Sequence, residues 1–276
     1  MLAPNSRRIA PVNRVPNVTV DFWLIKLMAV TMGETAADYL AVNLGLGLTI
    51  TSLIAAGILI VALVFQFAQK RYTPWVYWLA VVLVSIVGTL ITDNLVDDFG
   101  VHLGTAAIVF SVVLATTFSV WFASERTLSI HTIDTMKREI FYWLAILFTF
   151  SLGTATGDLV AETFDMGFLA TGLLFGGAIA LIAFGYYALK LDGILAFWLA
   201  YILTRPLGAS FGDLLSQPVD HGGLGWGTTF TSLAFLGCIA ALVVHMTLKK
   251  DADEIDGILL EPDQGGARQG RGRRTS

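Results

Sequence analysis

The chain has 276 residues, of which 55% are hydrophobic and only 14% charged, and its formal net charge is −4. This composition leaves no room for a separate soluble domain and indicates one integral membrane domain with short loops and two polar tails. The net charge lies mostly in tails and loops and gives no basis for a nucleic-acid partner. The single cysteine, Cys238, excludes an internal disulfide and a cysteine-rich metal site.

Eight apolar stretches follow the polar residues 1–19. A transmembrane helix needs about 20 mostly apolar residues, and each stretch is long enough. The stretches cover residues 20–42, 47–69, 74–96, 103–123, 139–161, 167–189, 193–215 and 227–247. We therefore predict an all-α polytopic membrane protein, with one transmembrane domain over 20–247 and a disordered tail over 248–276.

The basic residues indicate an orientation. Lys and Arg favour the cytoplasmic side of short loops. They occur before the first stretch and after the second, fourth, sixth and eighth, and the other four loops contain none. This predicts an inner-membrane protein with both termini in the cytoplasm. The opposite loops are acidic and contain Asp97, Asp98, Glu162, Asp165 and Asp220. They either form the mouth of a cation pathway or are simply outer loops, which commonly lack basic residues.

One pattern occurs four times along the chain. An aromatic-Trp-Leu triplet is followed by a glycine ten residues after the tryptophan and by an aspartate five residues later. The copies are Trp23-Gly33-Asp38, Trp78-Gly88-Asp93, Trp143-Gly153-Asp158 and Trp198-Gly208-Asp213. They predict two-helix repeats over about 20–69, 74–123, 139–189 and 193–247. Every copy enters the membrane in the same direction, so the copies are related about the membrane normal, as a ring of four or as two unequal pairs.

The repeated aspartates are the first candidates for function. Fifteen helical residues separate each tryptophan from its aspartate, a rise of about 22 Å, which places the carboxylates in the outer half of the bilayer. A charge near the bilayer centre costs about 2.5–3.5 kcal/mol on insertion scales. We therefore expect Asp38, Asp93, Asp158 and Asp213 to face water, a bound cation or each other. Converging carboxylates repel, which favours protonation or a bound cation.

Neighbouring residues extend the candidate site. Glu34, Thr89, Thr154 and Ala209 stand one turn before the four aspartates, and three of them offer oxygen. Oxygen ligands suit hard cations such as Mg²⁺, Ca²⁺ or Mn²⁺. The repeated glycines have two explanations: close helix packing, or loosened backbone whose carbonyls join a site.

Basic and histidine side chains add further candidates. Lys26 is expected to anchor at the inner interface. Arg205 lies deeper and needs a carboxylate, either an aspartate or Glu34 of another repeat, as a structural ion pair or a gate. His102 and His221 occupy outer loops at nearly matching repeat positions, where they either bind a metal at the mouth or are simply solvated.

Residues 15–43 contain Pro-Asn-Val-Thr, Phe-Trp-Leu-Ile-Lys and Gly-Glu-Thr-Ala-Ala-Asp elements. This segment resembles bacterial multi-pass proteins labelled uncharacterised membrane-anchored proteins. The similarity extends over all four repeats to about residue 247. The resemblance implies the topology and supplies no binding or catalytic residue.

The leading hypothesis is a membrane transporter of a divalent metal cation, either an exporter or a proton-coupled exchanger, with no resident cofactor. Its partners are the lipid bilayer and a small cation, and a second copy of the chain is an open alternative. A proton or cation channel and a membrane sensor acting through residues 124–139 or the tail also remain open. An intramembrane aspartyl enzyme fits least, because Ala155 and Ser210 replace the first glycine of that motif. No Walker loop is present, which disfavours direct ATP drive.

Overall fold

The computed structural model describes residues 13–259, and its long elements are eight α-helices. Their bounds are α1 (Val20–Asp38), α2 (Leu48–Ala68), α3 (Pro74–Asp93), α4 (Leu103–Glu125), α5 (Met136–Asp158), α6 (Gly167–Leu189), α7 (Gly193–Ser216) and α8 (Thr228–Leu259). The all-helical prediction is confirmed for this part of the chain.

The end of the last helix differs from the prediction. α8 continues to Leu259, twelve residues beyond the predicted end of the eighth apolar stretch at residue 247. That segment contains no proline, and its Leu, Lys, Ala and Glu residues are good helix formers. The rest of the predicted tail, 260–276, and residues 1–12 of the N-terminal segment lie outside the described residues.

The first helix of each repeat begins at a recognisable start signal. Thr19 accepts a hydrogen bond from the Phe22 backbone N–H at 3.3 Å, and Asp192 accepts one from Leu195 at 2.9 Å. Thr135 caps α5 in the same way, and Pro74 opens α3. These signals fix where each helix starts relative to its tryptophan.

Seven of the described helices are long and apolar enough to cross a membrane. The eighth, α1, has 19 residues and includes Asp21, Lys26 and Glu34. Its charge content, and not its length, separates it from the others. The chain is therefore a membrane protein with at least seven candidate spans.

The first helices of the four repeats contact one another in a closed ring, α1 to α3, α3 to α5, α5 to α7 and α7 back to α1. Each contact places one side chain against the repeated glycine of the preceding repeat. The pairs are Ser85 on Gly33, Phe150 on Gly88, Arg205 on Gly153 and Val30 on Gly208. These four side chains all stand seven residues after their tryptophan.

Only glycine fits at these ring contacts. A Cβ atom on Gly88 would lie 2.6 Å from the Phe150 Cβ, and one on Gly208 would lie 2.5 Å from the Val30 Cγ1. Small residues let membrane helices approach closely, so the ring geometry supports the packing explanation of the repeated glycines.

The second helix of each repeat packs on the first helix of the next repeat. The pairs are α2 on α3, α4 on α5, α6 on α7 and α8 on α1. These outer helices expose large apolar side chains, among them Leu53, Leu173, Leu181 and Leu233. The last outer helix packs on the first inner helix and so closes the ring of repeats.

Candidate functional site

The four repeated aspartates lie at one end of the ring, here called the aspartate end, and line a single cavity of about 440 Å³. The opposite end, where the four inner helices begin, is called the tryptophan end. Seven carboxylates line the cavity: Glu34, Asp38, Asp93, Asp97, Asp158, Glu162 and Asp213. The fold thus brings together all four aspartates that the repeat pattern singled out.

The backbone changes at the aspartates in three of the four repeats. Asp38, Asp93 and Asp158 each end an α-helix, and a π-helical turn of five residues follows. In the fourth repeat α7 continues as an α-helix to Ser216, past Asp213. Single π-helical turns occur frequently at functional sites, and here they re-aim the residues that follow the aspartates.

Over residues 13–259, the side chains of the four aspartates have no hydrogen-bond or ion-pair partner. Asp213 is the most enclosed, since it is only 8% exposed and still faces the cavity. A buried carboxylate without a partner is costly, so the arrangement calls for a proton, water or a cation.

Residues one turn beyond the aspartates complete the wall. Val42, Asp97, Glu162 and Gln217 stand four residues after the respective aspartates, and all four line the cavity. Sequence reasoning assigned Asp97 and Glu162 to outer loops and did not place them in the site. The signal for them was available, because residues four apart share one helical face.

An ion pair lies directly beneath the cavity. The Arg205 Nη2 donates to the Glu34 Oε2 at 2.8 Å and to the Thr154 Oγ1 at 2.8 Å, and it also contacts the Thr89 hydroxyl. The Thr89 hydroxyl donates to the same Glu34 oxygen at 3.1 Å. Of the two kinds of carboxylate that the sequence offered to Arg205, the structure selects Glu34.

Thr89 and Thr154 therefore serve a different purpose from the aspartates. Both are fully buried and contact Arg205, whereas the cavity wall is formed by other residues. Glu34 belongs to both groups, since it lines the cavity and pairs with Arg205. Glu34 therefore connects the cavity with the buried cluster around Arg205.

The prediction for Lys26 is wrong. Its side chain is fully buried, donates to the Tyr201 backbone carbonyl at 2.9 Å and lies 4.0 Å from the centroid of the Tyr201 ring. It does not extend to the interface, because α1 belongs to the inner ring and this face of the helix points at α7. Carbonyl and aromatic contacts take the place of water around the ammonium group.

Aromatic side chains close the tryptophan end of the ring. The Tyr77 and Tyr142 hydroxyls are 2.5 Å apart and both rings are fully buried. Phe22 and Phe197, the equivalent residues of the other two repeats, pack with ring centroids 6.1 Å apart. The cavity at the aspartate end therefore does not continue through the ring.

A second buried ion pair lies at the tryptophan end and was not foreseen. Arg14 Nη1 donates to the Glu139 Oε2 at 2.8 Å, and the Gln66 side-chain amide donates to the other Glu139 oxygen at 2.9 Å. Asn13 binds the segment before α5 with its amide and its carbonyl oxygen, at Ile130 and Ile133. No repeat pattern marks these residues, so the sequence carried no signal for them.

His102 and His221 occupy different environments. His102 caps α4, with its Nδ1 accepting from the Gly104 backbone N–H at 3.1 Å, whereas His221 lines the cavity. No three His, Cys, Asp or Glu side chains of the described residues are grouped closely enough to hold a metal ion. Metal binding by the aspartates and histidines stays a prediction.

Comparison with known families agrees with the repeat. A family model described as Repeat of Unknown Function (DUF347) matches residues 22–72, 76–127, 141–191 and 196–251. Each match begins within one residue of an aromatic-Trp-Leu triplet, which confirms the four copies predicted from spacing. Comparisons with curated proteins and with solved structures found no match. The four matches together cover most of the chain, and the chain therefore belongs to the DUF347 repeat family.

Proposed function

We propose that this protein transports a cation across the inner membrane and that the aspartate-lined cavity is part of the cation's pathway. One observation carries the proposal: four carboxylates without protein partners, one from each repeat, line a single cavity of about 440 Å³. A membrane protein retains intramembrane carboxylates at considerable cost, and such residues commonly mark ion pathways.

The exposed apolar side chains of the outer helices support a position of the whole helical bundle in the bilayer. All eight helices span the bilayer, with the apolar outer helices facing lipid and the four inner helices enclosing the pathway. α1 fits this arrangement despite its charges, because Lys26 and Glu34 are buried inside the ring and do not face lipid. In this proposal the tryptophan end and both termini are cytoplasmic and the aspartate end faces outward, which the basic residues of the loops at the tryptophan end support.

The charge distribution favours a cation. Seven carboxylates line the cavity, and Arg205 pairs with only one of them, Glu34. A concave site of one sign concentrates ions of the opposite sign. Oxygen ligands select a hard divalent cation such as Mg²⁺ or Mn²⁺.

The spacing of the carboxylates defines how such an ion binds. No three acidic or histidine side chains of the described part close around one point, so a divalent ion keeps part of its water shell. Mg²⁺ in particular releases its waters reluctantly and binds through few carboxylates. The cavity is large enough to admit a hydrated ion.

The closed tryptophan end favours a transporter over an open channel. The buried Tyr77–Tyr142 pair blocks the ring on the cytoplasmic side while the cavity is open on the other. Transport through this ring requires a second state in which the seal opens. An exporter or a proton-coupled exchanger works in this way, with the cation leaving through the outward cavity.

The test is ion flux into proteoliposomes that contain a fluorescent metal or pH indicator. Saturable movement of Mn²⁺, Mg²⁺ or protons is expected for the natural chain, with loss of flux in Asp38→Asn and Asp158→Asn. Asp165→Asn is the matched control, because Asp165 is an exposed carboxylate outside the cavity lining. Unchanged flux in the two cavity variants would contradict the assignment of the site, and linear, unsaturated flux would favour a channel.

A further inference from the structure

The guanidinium of Arg205 is held at one nitrogen by three oxygen atoms. Its Nη2 contacts the Glu34 carboxylate, the Thr89 hydroxyl and the Thr154 hydroxyl. The three oxygens come from the first, second and third repeats, and all stand eleven residues after their tryptophan. The fourth repeat has Ala209 at this position and contributes Arg205 instead.

The contacts are concentrated on one end of the arginine. Nη2 carries two N–H groups and meets three oxygens, while the buried Nε and Nη1 have no partner among the described residues. An arginine forms its strongest ion pairs with two parallel hydrogen bonds to one carboxylate, and Arg205 does not make such a pair. The oxygen group surrounds a single positive centre, as it would surround a metal ion.

The ring packing explains why the arginine reaches this position. The Arg205 Cβ and Cγ lie on Gly153, where the first, second and third repeats place Val30, Ser85 and Phe150 on their own glycine partners. The side chain therefore starts from a structural ring contact, and only its terminal group enters the oxygen cluster. Glu34, which lines the cavity, makes the cluster continuous with it.

We propose that Glu34, Thr89 and Thr154 form an inner cation site, and that Arg205 occupies this site as a built-in substitute for the transported cation. The ligand class is a small hard cation, since one carboxylate and two hydroxyl oxygens surround it. A cation that reaches the cluster displaces the guanidinium, whose alternative acceptors are the aspartates of the cavity, which have no hydrogen-bond partner among the described residues. The Glu34 carboxylate therefore faces a positive charge whether or not a cation is bound.

The role in transport rests on the proposed function, but the site itself is tested by binding. Arg205→Met removes the occupant and leaves Glu34 buried without its partner. In the purified protein we expect a lower midpoint of thermal unfolding that Mn²⁺ raises by several degrees. Equilibrium dialysis with Mn²⁺ should show one more bound ion per chain than in Glu34→Gln/Arg205→Met.

The controls separate the inner site from the cavity. Arg205→Lys keeps a positive group and should show no additional Mn²⁺, and Glu34→Gln/Arg205→Met should show a smaller Mn²⁺-dependent rise in the unfolding midpoint than Arg205→Met. If Arg205→Met does not fold, Arg205→Gln removes the charge while keeping a polar side chain, and the same two measurements apply.

Absence of an additional bound ion and of a midpoint shift with Mn²⁺, Mg²⁺, Ca²⁺ and Na⁺ in turn would overturn the inner site. That result leaves flux through the natural chain unaffected. Conversely, absence of flux in the natural chain together with an additional bound ion in Arg205→Met would reject transport and retain the inner site.

Discussion

The two ends of the ring are made from the same four repeated helices and have opposite properties. At the aspartate end, seven carboxylates surround an open cavity, and six of them form no ion pair within the described residues. At the tryptophan end, aromatic rings close the ring and the buried carboxylate Glu139 is paired with Arg14. Each repeat thus supplies a polar group near one end of its first helix and a seal near the other.

The charged and aromatic groups follow one another in a fixed order between the two ends of the ring. From the aspartate end to the tryptophan end, the ring contains the cavity carboxylates, then the Arg205–Glu34 pair, then Lys26 and finally the tyrosine pair. Charge on the axis changes sign between the cavity and Lys26, which disfavours a continuous cation path in this state. Substitutions at each end of the ring test these properties.

The largest expected effect comes from the ion pair at the tryptophan end. Arg14→Ala leaves Glu139 fully buried and without its positive partner, which should lower the free energy of unfolding by about 3–5 kcal/mol. Glu139→Ala should cost less, because the Arg14 side chain is 18% exposed and can turn to water. Thermal unfolding in detergent measures both, with Lys70→Ala, at an exposed lysine, as control. Equal losses in the two variants would contradict the assigned burial.

The next effect concerns the glycines that hold both ends together. Gly88→Val forces a Cβ atom to within 2.6 Å of the Phe150 Cβ and should destabilise the ring by about 1–3 kcal/mol. Gly57→Val on α2 is the matched control, because no atom lies within 4 Å of the position of its added Cβ. Similar unfolding midpoints for the two variants would refute the ring contact.

The tyrosine pair gives a smaller and more specific effect. Tyr77→Phe leaves the buried Tyr142 hydroxyl without its partner and should cost about 1–2 kcal/mol. The Tyr77→Phe/Tyr142→Phe variant removes both hydroxyls and should be close to the natural chain in stability. A double-mutant cycle of unfolding free energies measures the coupling, and additive losses would show that the two hydroxyls do not interact.

Cysteine substitutions at exposed positions should leave the stability unchanged, and they test which end of the ring faces outward. In a Cys238→Ser background, Val42→Cys lies at the aspartate end and is exposed, and Lys70→Cys lies in an exposed loop at the tryptophan end. A membrane-impermeant maleimide should label Val42→Cys in intact cells and Lys70→Cys only after permeabilisation. The reverse order of labelling would invert the proposed topology.

Local sequence patterns were sufficient for the repeated elements. Apolar length gave the helices, because a span needs a fixed number of apolar residues, and start signals such as Thr19 and Asp192 limited where they begin. The fixed spacing from tryptophan to glycine to aspartate predicted that equivalent residues share a height in the bundle. The end of α8 was missed, because the prediction followed apolar length alone, whereas good helix formers can extend a helix beyond an apolar stretch.

Contacts between distant residues required the tertiary structure. The sequence offered Arg205 several carboxylates, and only the packing of α7 against α5 and α1 directs it to Glu34. Lys26 has the composition of an interfacial anchor, and the ring buries it against Tyr201. Likewise, Arg14 and Glu139 are 125 positions apart and have no repeated counterparts.

The number of repeats, the apolar helices and the set of four aspartates follow from the amino-acid sequence, because they depend on composition and on spacing within one helix. The cyclic order of the inner helices, the pairing of each outer helix with the next repeat and the closure of the tryptophan end depend on how the helices pack. Those features depend on which side chain fits against which glycine across the ring. Such a fit is a property of two surfaces, and neither surface is encoded in the periodicity of a single segment.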